Sequence, residues 1–180
     1  MTSDKILARK ASQDPKAFGD LFDRYALRIY RYCYSRVPHR ESAEDITSQV
    51  FQDALEHIDQ YRPSGPFAAW LFTIARRRVA DHYRTLKPAE ELSEEISQGN
   101  PEILASVIQQ ENLRQLENSL QALDDNELEL LRMRFAAGMH YKEIAALVDK
   151  TPGAVKIAIY RLLDRLKVKM EKTDDSQKES

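Results

Sequence analysis

Scarcity marks this chain before any motif does: its 180 residues hold one cysteine, one tryptophan and five glycines. A lone cysteine, Cys33, can build neither a disulfide framework nor a thiolate metal site, so a reducing cytosol is the expected setting. No stretch approaches the roughly 18 consecutive apolar residues of a membrane span, and the N-terminus lacks the apolar core of a signal peptide. Membrane insertion is therefore not expected. His39, His57, His82 and His140 are scattered, with no Glu-x-x-His pair, no zinc-ligand spacing and no phosphate-cradling glycine loop. Nothing in that pattern calls for an enzyme or a cofactor. What remains is rich in Ala, Leu, Glu, Gln and Arg, a balance that predicts an all-α chain.

The formal net charge of −2 conceals a strong alternation along the chain. Residues 1–40 sum to +5 and residues 41–60, with no Lys or Arg, to −6. Residues 67–87 return to +4, residues 88–130 fall to −10 and residues 131–172 rise to +6. Two basic modules flanking an acidic connector suit a polyanion partner better than the sequence pI of about 6.1 indicates. The run KPAEELSEEISQGNP, Lys87 to Pro101, combines proline, glycine, serine and carboxylates, the composition of a linker. We therefore expect two helical domains, 1–87 and 113–172, a flexible acidic linker over 88–112, and a disordered tail over 173–180.

Helical wheels divide the first module into faces. Over Ala43 to Asp59, the residues Ala43, Ile46, Val50, Phe51, Ala54 and Ile58 share one arc. Asp45, Gln49, Gln52, Glu56 and Asp59 share the opposite one. A solvated helix face is one reading of the second arc. The absence of Lys partners four residues on favours the other, a face that docks onto a basic surface.

Over Phe67 to Arg84 the apolar arc is Phe67, Ala68, Trp70, Leu71, Ile74, Ala75 and Val79. Thr73, Arg76, Arg77, Ala80 and Arg84 gather opposite, with Ala69 also assigned to that side, an unobstructed basic stripe that fits nucleic acid. Helix-dipole complementation is the competing explanation of the arginine run. Arg78 falls inside the apolar arc, where it must pair with a carboxylate or reach out to solvent. Between the two helices, YRPSGPF makes a rigid turn in which Tyr61 is a candidate surface for stacking an unpaired base.

The second module carries three punctuated helices. Asp124 or Asp125 caps the first and Gly138 ends it, and Tyr141 to Val148 is short and followed by a tight Asp149–Lys150 connection. Thr151 caps the last, with Pro152 at its first position. Its buried arc is Val155, Ala158, Ile159, Leu162, Leu163 and Leu166, while Lys156, Ile157, Tyr160 and Arg161 face outward near its start. That is helix-turn-helix spacing, with the last helix presented to a major groove. A plain three-helix bundle is the alternative.

Four blocks in order resemble the bacterial sigma factors of the extracytoplasmic-function type. They are AFGDLFDRYALRIYRYCYSRV, AEDITSQVFQDALEHIDQY, FAAWLFTIARRRVADHYR and the C-terminal LDDNELELLRMRFAAGMHYKEIAALVDKTPGAVKIAIYRLLDRL. The resemblance implies a dissociable subunit of RNA polymerase and not an enzyme, acting in the bacterial cytoplasm and at the nucleoid when polymerase-bound. It implies that Asp45, Gln49, Gln52 and Glu56 dock on the coiled coil of the largest subunit of core RNA polymerase. Tyr61, Thr73, Arg76, Arg77 and Arg84 would then recognise and help open the −10 element, on double-stranded promoter DNA and its unpaired strand. Thr151, Lys156, Ile157, Tyr160 and Arg161 would read the −35 element, and an anti-sigma factor is a further partner that the resemblance allows.

Several residues depart from the family pattern. Arg77 stands where the family commonly has Asn, Asp149 replaces a common turn glycine and Lys150 an apolar turn residue. Ile157 and Ala158 replace a frequent Ser-Arg pair, leaving Ile157 to meet either thymine methyl groups or a protein. The rival reading is a stand-alone helix-turn-helix regulator with an N-terminal ligand or dimerisation domain. The second basic surface on Arg76, Arg77 and Arg84 argues against it.

Overall fold

The computed structural model describes residues 3–62, 64–86 and 119–178, with side chains to residue 170. Among these every regular element is helical and none is a strand, as the composition requires. The expected linker over 88–112 and the start of the second module lie outside the described residues, as does Pro63 of the turn.

The N-terminal module comprises α1 (Asp4–Ala11), α2 (Pro15–Tyr34), α3 (Arg40–Glu56), a short 3-10 turn (Ile58–Gln60) and α4 (Phe67–Leu86). Asp14 caps α2 by accepting a bond from the Lys16 amide at 3.0 Å, with Pro15 at the first helical position where no amide is needed. Along α2, Leu21, Tyr25, Ile29 and Tyr32 with Cys33 recur every three to four residues and are buried. Burial pushes the Cys33 thiol up to about 12, so it is an inert core residue. The predicted apolar arc of α3 is buried throughout.

The apolar arc of α4 is wider than its wheel predicted. Ala69 is 8% exposed and so belongs to the core, not to the basic stripe. Phe72, which the wheel omitted, is fully buried. The reason is tertiary: α4 is contacted by α1, α2 and α3 and by a helix of the second module, so more than one side is covered.

That second module comprises α5 (Asp125–Leu131), α6 (Tyr141–Leu147) and α7 (Pro152–Lys178). Asp124 caps α5 in a reciprocal box with Glu127, its carboxylate accepting from the Asn126 and Glu127 amides at 2.9 Å each. The helix closes through a wide π turn at Arg132–Ala136, with the Ala137 amide bonded to the Arg132 carbonyl at 3.0 Å. Gly138, at φ +61°, then turns the chain. Asp149, which replaces a common turn glycine of the resembled family, also adopts a left-handed φ, +53°. Thr151 caps α7 by accepting from the Ala154 amide at 3.2 Å. The backbone of α7 stays helical to Lys178, past the predicted end at 172, because no Pro or Gly interrupts EKTDDSQK.

The two modules are in contact. α6 packs on α4 and the π turn packs on α2, and the buried apolar residues of both modules form one cluster.

Candidate functional site

Three surfaces carry the sequence-predicted residues. On α3, Asp45, Gln49, Gln52 and Glu56 are all exposed, continued by Asp59 in the 3-10 turn. Among the described residues, Asp45, Glu56 and Asp59 make no ion pair within 4.0 Å. Two exposed apolar side chains border the strip: Leu55, and Phe22 of α2, whose ring meets Phe51 edge-on at 4.7 Å. The wheel did not single out this apolar border, because Phe22 comes from another helix and Leu55 falls between the two arcs.

On α4, Thr73, Arg76, Arg77, Ala80 and Arg84 are exposed on one side, as the wheel predicted. Each arginine nevertheless faces a carboxylate of its own chain. Arg77 Nε lies 3.8 Å from Asp81, and Arg84 bonds the same carboxylate from the other side. Asp81 sits four residues after Arg77 and three before Arg84, a pairing open to the helical-neighbour rule but not drawn from the sequence. Arg76 Nε lies 3.4 Å from Glu129 of α5, and its side chain is 43% exposed against 81% for Arg77.

Arg78 points the other way, into the seam with α3. Its Nε donates to Asp53 Oδ2 at 2.5 Å and its Nη2 to Oδ1, a two-point carboxylate pairing. This bond holds the Asp53 carboxyl below its usual value. Of the two fates that the apolar arc allowed for Arg78, pairing is the one observed. Its effect is to lock the acidic helix and the basic helix in one relative position.

Tyr61 is 8% exposed, packed against Phe67 at 5.3 Å and Trp70 at 5.6 Å, with its hydroxyl donating to the Gly65 carbonyl at 3.1 Å. In this conformation its ring serves the core and offers no face to a base, because the turn that brackets it folds both aromatics inward.

On α7, Thr151, Lys156, Ile157, Tyr160 and Arg161 are all exposed. Ile157 and Tyr160 are over half exposed, and Lys156 Nζ lies 5.8 Å from the Tyr160 ring centre. The helix behind them is fastened by Arg165, whose guanidinium pairs with Glu127 of α5 at 2.5 and 3.1 Å. The inner face of the start of α7, Val155 and Ile159, is buried in the bundle, and its outer face is exposed. Among the described residues no group of three or more His, Cys, Asp and Glu side chains could hold a metal ion, and no helix is long and apolar enough to cross a membrane.

The arrangement therefore offers an acidic strip, a basic stripe one helix away, and an exposed polar and aromatic face at the start of α7. The family description "Sigma-70 region 2" matches residues 21–88 and "Sigma-70, region 4" matches residues 113–166. The ECF RNA polymerase sigma factor BldN of Streptomyces coelicolor is 33% identical over 169 residues, covering 90% of this chain and 63% of that protein. The ECF RNA polymerase sigma factor SigD of Mycobacterium tuberculosis is 33% identical over 175 residues, covering 91% of this chain and 82% of that protein. Among solved structures, CnrH in complex with the cytosolic domain of CnrY matches with a TM-score of 0.64 at 25% identity, over 94% of this chain and 98% of that one. The sigma factor RpoE of Bartonella quintana, solved with the anti-sigma factor NepR, shares the fold with a TM-score of 0.59 at 18% identity, over 87% of this chain and 98% of that one.

Proposed function

The chain belongs to the sigma factors of bacterial RNA polymerase, of the extracytoplasmic-function (ECF) type, and from that membership we propose that it binds core polymerase and directs it to promoters. The observation that carries this reading is the back-to-back setting of two faces of opposite charge, locked by Asp53 and Arg78 and followed by a helix-turn-helix. The chain breaks and forms no covalent bond in this scheme. Its work is recognition, and the chemistry is the polymerase's.

The strip of Asp45, Gln49, Gln52 and Glu56 docks on a basic surface of the core enzyme. Single-sign charge steers the encounter, and Leu55 and Phe22 supply apolar area at its edge. The stripe of Thr73, Arg76, Arg77 and Arg84 meets the −10 region. Guanidinium groups neutralise backbone phosphates there, and Thr73 and the exposed Ala80 let the duplex come close. Stacking of an unpaired base on Tyr61 requires the Gly65 turn to release the ring first.

The start of α7 reads the −35 region in the major groove. Lys156 and Arg161 serve backbone and base-edge acceptors, Ile157 and Tyr160 serve apolar contact, and Thr151 sits at the capped helix end facing phosphate. The site of action is the cytoplasm, with the nucleoid as the location of the polymerase-bound form. The relative solved with the cytosolic domain of CnrY favours a regulatory protein partner, of the anti-sigma kind, for this chain too.

Purified core polymerase supplied with this chain should initiate transcription at sites that core polymerase alone does not use. Those sites should match the starts that appear in cells when the chain is overexpressed. If no start depends on the chain in either setting, the proposal fails.

A further inference from the structure

Apart from the three surfaces already described, α1 carries positive charge that the chain leaves unanswered. Among the described residues, the arginines of the N-terminal module lie within 4.0 Å of a carboxylate with three exceptions, Arg9, Arg31 and Arg62. The fold brings two of these to one turn. α1 packs against the 3-10 turn Ile58–Gln60, which leads through Tyr61 into Arg62. Burial, and next the charge of Asp4, raise the Tyr61 phenol, and Arg9 acts against them, so the Arg9 guanidinium is within electrostatic reach of that hydroxyl.

Lys10 adjoins Arg9 on the last turn of α1, is exposed and likewise makes no ion pair among the described residues. Ile6, three and four residues before them, is 48% exposed on the same edge of the helix. The one carboxylate of α1, Asp4, is engaged by Arg24 and by the Tyr25 hydroxyl at 2.6 Å each, so it neutralises neither Arg9 nor Lys10. Asp59 of the 3-10 turn pairs with none of the three bases.

A solvated helix end is the plain alternative, since two bases in the last turn of α1 complement the helix dipole. That explanation does not extend to Arg62, which lies on no helix, or to Ile6, which gains nothing from a dipole. Cations beside exposed apolar surface, next to the ring cluster of Tyr61, Phe67 and Trp70, suit a single nucleic-acid strand. Phosphates meet the cations and base faces meet the apolar surface. A duplex keeps its base faces inside the stack and can use only the cations.

We propose that Ile6, Arg9, Lys10 and Arg62 form a track for the unpaired promoter strand where it passes the Tyr61 turn. Its placement at the −10 element rests on the proposed function, whereas affinity for single-stranded DNA does not. These bases hold no carboxylate, so they take up phosphate by releasing counterions and water alone. Arg77 and Arg84 must first give up Asp81. Ile6 meets a base without movement of the protein, while Tyr61 must first leave the Gly65 carbonyl. The strand is therefore held on α1 before a base is stacked at the turn.

The test titrates the full chain, without polymerase, against a fluorescein-labelled oligothymidylate and a labelled duplex of equal length. Arg9→Gln, Lys10→Gln and Arg62→Gln together should lower single-strand affinity about tenfold and reduce its salt slope by about two. Helicity should be unchanged, because all three side chains are exposed. The duplex should lose about twofold or less. Ile6→Ser should lower single-strand affinity about threefold with the salt slope unchanged, the signature of a contact with bases and not with phosphates. Arg31→Gln, the third unpaired arginine, lies on α2 outside the track and should change neither. Equal proportional losses on duplex and single strand, or a loss in Arg31→Gln as large as in the triple variant, indicate general electrostatics and overturn the track. A triple variant that binds the single strand like the parent overturns it too. Transcription by core polymerase with the parent chain tests the proposed function separately: if it initiates while the triple variant binds the single strand like the parent, only the track fails.

Discussion

The acidic helix and the basic helix of the N-terminal module lie side by side, yet they meet solvent in different states. On α3, Asp45 and Glu56, with Asp59 in the 3-10 turn that follows, make no ion pair within 4.0 Å among the described residues. On α4, Arg76, Arg77 and Arg84 each face a carboxylate supplied by the chain itself. An unneutralised face binds an oppositely charged surface by losing only water and salt ions. A pre-paired face must exchange partners, so its intrinsic attraction for phosphate is reduced by the interactions given up. Under the proposed function the contrast predicts an order: polymerase first through α3, DNA afterwards through α4.

The largest expected effect breaks the open face. Asp45→Arg combined with Glu56→Arg should weaken core polymerase binding on the order of a hundredfold, with helicity unchanged because both side chains are exposed. Titration of labelled chain with core enzyme measures it. Next comes the pre-paired face. Arg77→Ala with Arg84→Ala should lower promoter affinity of the assembled holoenzyme about tenfold and reduce the salt slope by about two, leaving polymerase affinity unchanged. Loss of polymerase binding instead would show that the faces are wrongly divided.

A smaller effect concerns the seam that joins the faces. Asp53→Asn leaves Arg78 half-buried with half its partner lost and should destabilise the N-terminal module by about 1 kcal/mol, read as a lower Tm. The Arg78 bond holds the Asp53 carboxyl below its ordinary value, so its contribution is present at and above the ordinary carboxylate range. It is lost as pH falls further, and the variant and parent should converge in stability on acidification. Smallest is the helix-turn-helix connection. Asp149→Gly relieves a left-handed residue and should raise the stability of the second module by up to about 1 kcal/mol without touching either face.

Legibility followed the range of the interaction. Caps at Asp124 and Thr151, the turn at Gly138 and the buried arc of α3 depend on neighbours within a turn or two, and local patterns expose them. The separation of Arg78 from Arg76 and Arg77 was also readable, since one residue of rotation swings a side chain by 100° and the apolar arc excludes a lone cation. The burial of Phe72 and Ala69 was missed, and that of Tyr61 was not foreseen, because it depends on elements far along the chain or on a turn folding inward. Glu129 is the clearest case: inside DDNELELL it looks like one more solvated acid, and only the docking of α5 against Arg36 and Arg76 makes it a buried hub. The π turn that frees the Ala137 carbonyl for Arg28 leaves no mark in residue types.

One measurement bears on the contrast most directly: equilibrium binding of the intact chain to core polymerase and to promoter duplex, each in the absence of the other. Tight binding to polymerase without DNA, together with weak binding to DNA without polymerase, is the expected result. Tight binding to DNA alone with no affinity for core polymerase would contradict it and would describe a stand-alone regulator instead.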